Sequence, residues 1–476
     1  ECGHIVVQVA DKANEELFKK LAPDKVRVVI LESLVADAMV LCSRYPGLGS
    51  VLAETLGFAG QEFYVESWPG LTGKTFQDAV FSFADAIAVG VVTAEGQCLL
   101  SPPHDHVIQP GEKIVVYAED DDSYHPAEHR IVDSPMWLRR CALQCSPGSP
   151  SDDHLVQPEV KILVPAEVGP QDRDRCHIAE TRITDRLMRS QRSLLQSSPG
   201  EGSTRPPRAA ARQRSLILGW NSNAAYLLDE LAAFSECTVL SERPVVARLG
   251  DLADFWKLSE TVNFCDSDVE HVLGCPSAHQ DLKALNLGDY DNIFILADAA
   301  SRGADPAWER PARLAADGST VASILIIRDV LAQSRNAGQK PPCIVPQILE
   351  ASTADILEEL GVHDYIDSSR LVSSLLAVVS EGPEVQPVIE GLTGSSGCSF
   401  HIRPLQYYLP PAANVPEELS FWDVVCVVRR CSDDVVVGWS RPRSGGTTGI
   451  QCVLNPKDKH ERFAWCTGVD LIVIGP

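Results

Sequence analysis

An α/β chain made of two copies of one unit, each a Rossmann-like lobe followed by a small β-rich lobe, is the architecture this sequence predicts. Three observations predict it. First, RSLILGWNSNAAYLLDEL (Arg214–Leu231) runs from an apolar strand through a glycine into apolar residues at helical spacing. Second, HIVVQVADKANEELFKKL (His4–Leu21) lies over CIVPQILEASTADILEEL (Cys343–Leu360) without a gap, and Ile5, Val6, Gln8 and Leu21 recur as Ile344, Val345, Gln347 and Leu360. Third, further matches follow in one order: TFQDAV with SFWDVV, AVGVV with VVGWS, LLSP with VLNP, and PGEKIVVYA with TGVDLIVIG.

Taken along the chain, residues 1–58 are the end of a first Rossmann-like lobe, and 59–125 its β-rich partner. Residues 126–213 break the composition: HIAETRITDRLMRSQRSLL, which reads as an amphipathic helix, precedes SSPGEGSTRPPRAAARQR, whose Pro, Gly, Ser and Arg bias marks a largely disordered linker. Residues 214–382 form the second Rossmann-like lobe and 383–476 the second β-rich lobe. The copies are unequal, because residues 214–342 precede the shared strand in the second and only three residues precede it in the first. The first N-lobe is thus truncated, its sheet would carry an open hydrophobic edge, and the natural polypeptide is expected to continue upstream of Glu1. In the second copy SRGADPAWERPARLAADGST (301–320) reads as a loop insertion before the helix VASILIIRDVLAQSR.

A dinucleotide fingerprint needs small residues at three positions, and here they are Gly219, Asn221 and Ala224. Only the first and third fit. The second glycine lets the backbone approach a pyrophosphate, and the side chain of Asn221 would occupy that space. Glu242 ends the expected second strand where a ribose-binding acid would stand, and Asp298 would converge with it at the strand ends of a doubly wound sheet. Gly219, Asn221, Glu242 and Asp298 therefore mark a candidate small-ligand site of unknown ligand, with NAD not expected; carboxylates there would bind a cation or cap helices.

The net charge of −24 argues against a general nucleic-acid binder. Fifteen cysteines without a C-x-x-C pair, several in apolar runs such as those around Cys237 and Cys426, read as buried reduced thiols rather than a disulfide framework or zinc site. No uncharged apolar run reaches the ~18 residues of a membrane span, and no signal peptide opens the chain, so this chain reads as soluble.

The run PGLGSVLAETLGFAGQEFYVESWPGLTGKTFQDAVFSFADAIAVGVV, then YAEDDDSY, ILGWNSNAAYLLDEL, VLSERP, LNLGDYDNIFILAD, ILIIRDV, DYIDSSRLVSSLLAVVSE and VLNPKDK, resembles the CASTOR/POLLUX family of ion channels. The resemblance covers most of the chain outside 126–213 and 301–320. It implies tandem regulator-of-potassium-conductance (RCK) domains, each with a Rossmann-like N-lobe and a small C-lobe, assembled by four identical subunits into a gating ring beside a cation pore. It further implies potassium permeation, a role in calcium signalling, and association with a membrane, the nuclear envelope in that family, through pore helices this chain lacks. The family shares the glycine-tryptophan turn in place of a full dinucleotide fingerprint. The alternative is a soluble nucleotide- or ion-sensing RCK-like protein acting on a separate membrane transporter.

Glu119-Asp120-Asp121-Asp122 closes the first β-rich lobe, and adjacent carboxylates at a strand exit supply the hard oxygens calcium requires, so calcium is the candidate metal. The solvated acidic turn is the bland reading. CDSDVEH (Cys265–His271) has alternating acids but lacks an EF-hand's glycine and final glutamate, and His104-Asp105-His106 reads as a surface turn. No G-x-S-x-G, H-E-x-x-H or Walker A sequence is present, and no nucleophile has a motif around it, so no enzymatic activity is expected.

Overall fold

The computed structural model describes residues 3–9, 14, 17–18, 20, 25–56, 60–120, 124–132, 135, 138, 212–258, 269–298, 306–334, 340–394, 397–409, 416–442, 450–465 and 468–476. The 139–211 part of the linker, with its proposed helix, lies outside them, as does most of the stretch 10–24.

In the first copy, strands β1 (Ile5–Val9) and β2 (Val26–Ile30) form a parallel pair, and helix α1 (Leu31–Arg44) follows directly. Helix α2 (Leu48–Thr55) leads to an antiparallel sheet of β3 (Glu62–Glu66), β4 (Ile87–Val92), β5 (Cys98–Leu100) and β6 (Lys113–Ala118), ordered β3-β6-β4-β5, with helix α3 (Phe76–Val80) between β3 and β4.

The second copy opens with β7 (Gln213–Leu218), α4 (Ala224–Leu231), β8 (Ser235–Ser241), α5 (Val245–Leu258) and β9 (Val269–Leu273). It continues through α6 (His279–Ala284), β10 (Asn292–Ile295), α7 (Pro306–Ser334), β11 (Cys343–Ile348), α8 (Ser352–Glu359), β12 (Ile366–Asp367) and α9 (Ser368–Glu381). Its six strands are all parallel, in the order β9-β8-β7-β10-β11-β12. This is the doubly wound dinucleotide-fold order, which reverses between β7 and β10. Leu216–Leu218 and Ile293–Ile295 are unbroken apolar runs with almost no exposure, as strands covered by helices on both faces must be.

The segment 301–320 differs from its reading as a loop. From Pro306 it is helical and continuous with VASILIIRDVLAQS, making α7 29 residues long. Its Gly, Pro and Ser residues suggested a loop, but Pro306 stands at the helix start, where proline is tolerated, Pro311 is carried inside the helix, and Ala, Leu, Arg and Glu dominate the rest. Buried Asp317 pins the added turns to the domain, accepting hydrogen bonds from the backbone N–H groups of Leu349 and Glu350 (2.9 and 3.0 Å) and from the Thr353 hydroxyl at 2.7 Å.

The chain ends with α10 (Gln386–Thr393), β13 (Ser399–Pro404), β14 (Leu419–Ser420), α11 (Phe421–Cys431), β15 (Val435–Pro442), β16 (Ile450–Leu454), β17 (Arg462–Phe463) and β18 (Asp470–Gly475). The sheet order β13-β18-β15-β16 reproduces β3-β6-β4-β5. The likeness extends to single residues. Thr75 with Asp78 and Ser420 with Asp423 form capping boxes on α3 and α11. β4 and β15 each carry an irregularity next to a glycine, Gly90 and Gly438. The matched LLSP and VLNP place Ser101 and Asn455 at φ of 45° and 40°, and their N–H groups donate to Val89 and Val437 carbonyls at 2.8 Å.

The two copies share one core. α1 is buried from Leu34 to Cys42 at nearly every position because it packs on α4 and β11 of the second copy as well as on its own. Between the β-rich lobes the contacts are reciprocal. The residues after β5 grip the turn before β15: Ser101 Oγ donates to the Asp433 carbonyl and His104 N to Asp433 Oδ1 at 2.9 Å. The residues after β16 grip the turn before β4: Asn455 Nδ2 donates to the Asp85 carbonyl and Gln61 Oε1, both 2.7 Å, and Lys459 Nζ to the Ala84 carbonyl at 2.8 Å. Equivalent surfaces meeting in this crossed fashion are the mark of a two-fold contact, here between halves of one chain.

Candidate functional site

Ligands of doubly wound sheets bind outside the carboxyl ends of the strands where the strand order reverses. In this chain that place is the crevice between β7 and β10, entered by Gly219, Trp220 and Asn221.

Each of the three is occupied with the fold. Gly219 has φ +92°, a left-handed conformation that favours glycine, and a Cβ there would stand 2.7 Å from the Leu296 carbonyl oxygen. Its glycine is required by the close approach of β10. Trp220 is buried and donates its ring N–H to Asp251 Oδ2 at 2.8 Å. Asn221 Nδ2 donates to the Ala297 carbonyl at 2.9 Å and to Gln347 Oε1 at 2.8 Å, while its Oδ1 accepts the Asn223 N–H at 3.0 Å. Gln347, itself buried, also accepts the Ala297 N–H at 3.2 Å and donates to Ser368 Oγ at 2.8 Å. The amide of Asn221 therefore closes the mouth of β7, β10 and β11 with hydrogen bonds where a fingerprint glycine would leave room for phosphate.

Glu242 and Asp298 are exposed beside this latch. Burial pushes the Asp298 carboxyl above its usual range, the Arg243 guanidinium opposes that, and the Glu242 charge adds to it, so the three groups act on one another at the strand ends. Arg243 also pairs with Asp251 at 2.9 Å. Behind them Arg248 is fully buried, its guanidinium donating to the carbonyls of Arg243 (2.9 Å), Val239 (3.1 Å) and Val272 (2.9 Å). Burial lowers its pKa to about 10, and it lies against His271, whose pKa burial and the Arg248 charge together lower to about 4. Arg248 was invisible as a site residue in the sequence; the available signal was a cation four residues from buried Leu252, on the apolar stripe of α5.

The acidic run of the first copy is only partly described. Glu119 pairs with Lys457 of the second copy at 2.9 Å, both side chains exposed, Asp120 precedes Asp121 and Asp122, and these last two lie outside the described residues. In CDSDVEH, Asp266 and Asp268 also lie outside them, and Glu270 is an exposed residue of β9. His104 and His106 part company, the first facing Asp433 (3.2 Å) and the second Glu112 (3.1 Å). Among the described residues no group of three or more His, Cys, Asp or Glu is placed to hold a metal ion, no helix is long and apolar enough to cross a membrane, and no disulfide joins any of the nine cysteines.

Residues 32–133 match the family model described as Castor and Pollux, part of voltage-gated ion channel. Over 502 residues the chain is 26% identical to the probable ion channel POLLUX of Oryza sativa subsp. japonica, covering 99% of this chain and 43% of that protein. It is 27% identical over 507 residues to the probable ion channel CASTOR of the same plant (99% and 47%), and 26% identical over 505 residues to the ion channel CASTOR of Lotus japonicus (99% and 49%). The chain spans about half the length of the curated relatives it matches. Among solved structures it resembles the human SLO3 gating ring with a TM-score of 0.61 at 13% identity, over 99% of this chain and 81% of that one, a likeness of fold. Through both copies, then, this chain is similar to the CASTOR/POLLUX ion channels, and its fold is the tandem RCK fold of a gating ring.

Proposed function

We propose that this chain is the regulatory gating-ring portion of a potassium-permeable cation channel of CASTOR/POLLUX type, assembled as a homotetramer and controlled by a ligand or by calcium. One observation carries the reading: similarity to ion channels runs through 99% of the chain, across both RCK copies, rather than through a single nucleotide-binding fold. The closed crevice at Asn221 supports a second part of it, that the second N-lobe senses something other than NAD and performs no catalysis. Ligand binding that favours one arrangement of the lobes would shift the ring, and the ring the pore. Calcium is assigned to the Glu119–Asp122 turn, where Lys457 stands in for a cation at Glu119, and the membrane to the nuclear envelope.

Single-channel recording from the complete natural polypeptide that carries this chain, with calcium titrated on the ring side, tests the proposal. Potassium currents whose open probability rises or falls with calcium are expected, and Asp120→Ala/Asp121→Ala/Asp122→Ala should abolish that dependence while leaving conductance unchanged. Currents indifferent to calcium and to the triple substitution would remove the calcium assignment; absence of any current would remove the channel reading.

A further inference from the structure

A cavity of about 400 Å³ lies between the two copies, walled on one side by α2 and on the other by α8, β12 and α9. Its apolar wall is Leu52, Ala53 and Leu56 of the first copy with Leu371 and Ile450 of the second. Its other wall carries the carboxylates of Asp355, Glu358 and Asp367, with Arg370 as the neighbouring cation. Burial raises the pKa of Tyr365, with the charges of Glu358, Asp367 and Asp355 raising it further and that of Arg370 opposing them. Three carboxylates against one guanidinium leave a negative field. The cavity also contains His363, whose Nε2 is buried without a hydrogen-bond partner among the described residues.

The wall between the copies is held by Asp364, next to the cavity. Its carboxylate accepts the N–H of Gly47 (2.8 and 2.9 Å to its two oxygens) and of Gly49 at 3.2 Å, tying the start of α2 to the second copy. Gly49 leaves no slack, since a Cβ there would stand 3.1 Å from the Asp364 Cα. The cavity is therefore bounded by a fixed junction rather than a loose seam.

We infer that this cavity is a binding site for a small organic cation, an amine whose ammonium group lies against the carboxylate-bearing wall of Asp355, Glu358 and Asp367 while its hydrocarbon body lies on Leu52, Ala53 and Leu56. An apolar wall facing a few convergent polar groups is the general composition of small-molecule sites. A bare metal ion fits less well, because one Asp367 oxygen already accepts the Arg370 N–H at 3.0 Å and the described acids form no metal-holding group. An occupant would touch both copies at once and so favour one spacing between them. The inference goes beyond the channel reading and does not depend on it, since binding to the chain is measured without a pore.

The test is isothermal titration of the full chain with n-hexylammonium chloride, with 1-hexanol and calcium chloride titrated separately. A saturable isotherm for the amine, none for the alcohol, and at least a tenfold weakening in Asp355→Asn/Glu358→Gln are expected, tenfold being about 1.4 kcal/mol. Both substituted residues are exposed, so the double variant should fold. Ala53→Trp, which fills the apolar wall, should abolish binding, and its circular dichroism should match the parent. No saturable heat, equal binding of the alcohol, an isotherm unchanged in both variants, or calcium displacing the amine at equal concentration would each overturn the inference. A negative result here leaves the coupling of ring to pore untouched, which the recordings test by themselves.

Discussion

At the scale of one residue, Asn221 fills the second position of the fingerprint with hydrogen bonds at the mouth of the doubly wound sheet. Its side chain makes three hydrogen bonds at the position where a phosphate-binding turn would have none. Replacing it with glycine should therefore destabilise the chain by about 1–3 kcal/mol, since Gln347 is buried and loses a partner, as read from a denaturant midpoint. NAD should give no saturable heat with the parent. Gly219→Ala places a Cβ against the Leu296 carbonyl at a positive φ and should cost on the order of 1–3 kcal/mol in the same assay. His271 carries the clearest pH consequence. Its folded pKa of about 4 lies below the 6.5 of a free imidazole, so the unfolded chain binds its proton first as pH falls. Stability linked to His271 is thus intact above pH 6.5 and lost progressively between 6.5 and about 4. His401, whose pKa burial and Arg403 also lower, adds in the same direction. Urea midpoints across that window should fall by an amount worth on the order of 2 kcal/mol for His271, and His271→Gln should flatten the slope.

At the scale of elements, the repeat is written in local chemistry that survives low identity. A helix begins at TFQD and at SFWD because a hydroxyl and a carboxylate three residues apart satisfy the same first N–H groups in both. Ser420→Ala and Thr75→Ala should each cost about 1 kcal/mol, measured by chemical denaturation; an unchanged midpoint would mean that the neighbouring Asp holds the turn alone. Gly90 and Gly438 answer to packing: a Cβ would stand 2.6 Å from the Leu99 carbonyl and 2.2 Å from the Val453 carbonyl, so only glycine lets the strands pair there. These features were legible because each is settled within a few residues. The start of α7 was not, because Asp317 earns its place through Leu349, Glu350 and Thr353, more than thirty residues away, and a window of sequence around 301–320 contains none of them.

At the scale of the whole molecule, the reciprocal grip between the β-rich lobes makes the two copies one body. Asn455→Ala should loosen it by removing the donors to Gln61 and Asp85 and leaving the buried Gln61 side-chain oxygen unpaired, a loss of about 1–3 kcal/mol. Hydrogen exchange should then quicken in the turns before β4 and β15 together, whereas exchange confined to one turn would show the copies to be independent. Light scattering of the purified chain tests assembly: the proposed ring requires a species of about four times 51.7 kDa, and a monomer at all concentrations would count against it. The sequence by itself determined the tandem α/β units, their order, the strand-and-helix identity of the matched segments among the described residues and the asparagine at the second position of the fingerprint, because hydrophobic period, caps and glycines act over short spans. Only the tertiary structure decided what that asparagine bonds to, that Arg248 is buried, that Asp364 caps a helix of the other copy, and that a charged cavity opens between the copies. Those depend on residues far apart in the chain meeting in space, and no local pattern records which of them will meet.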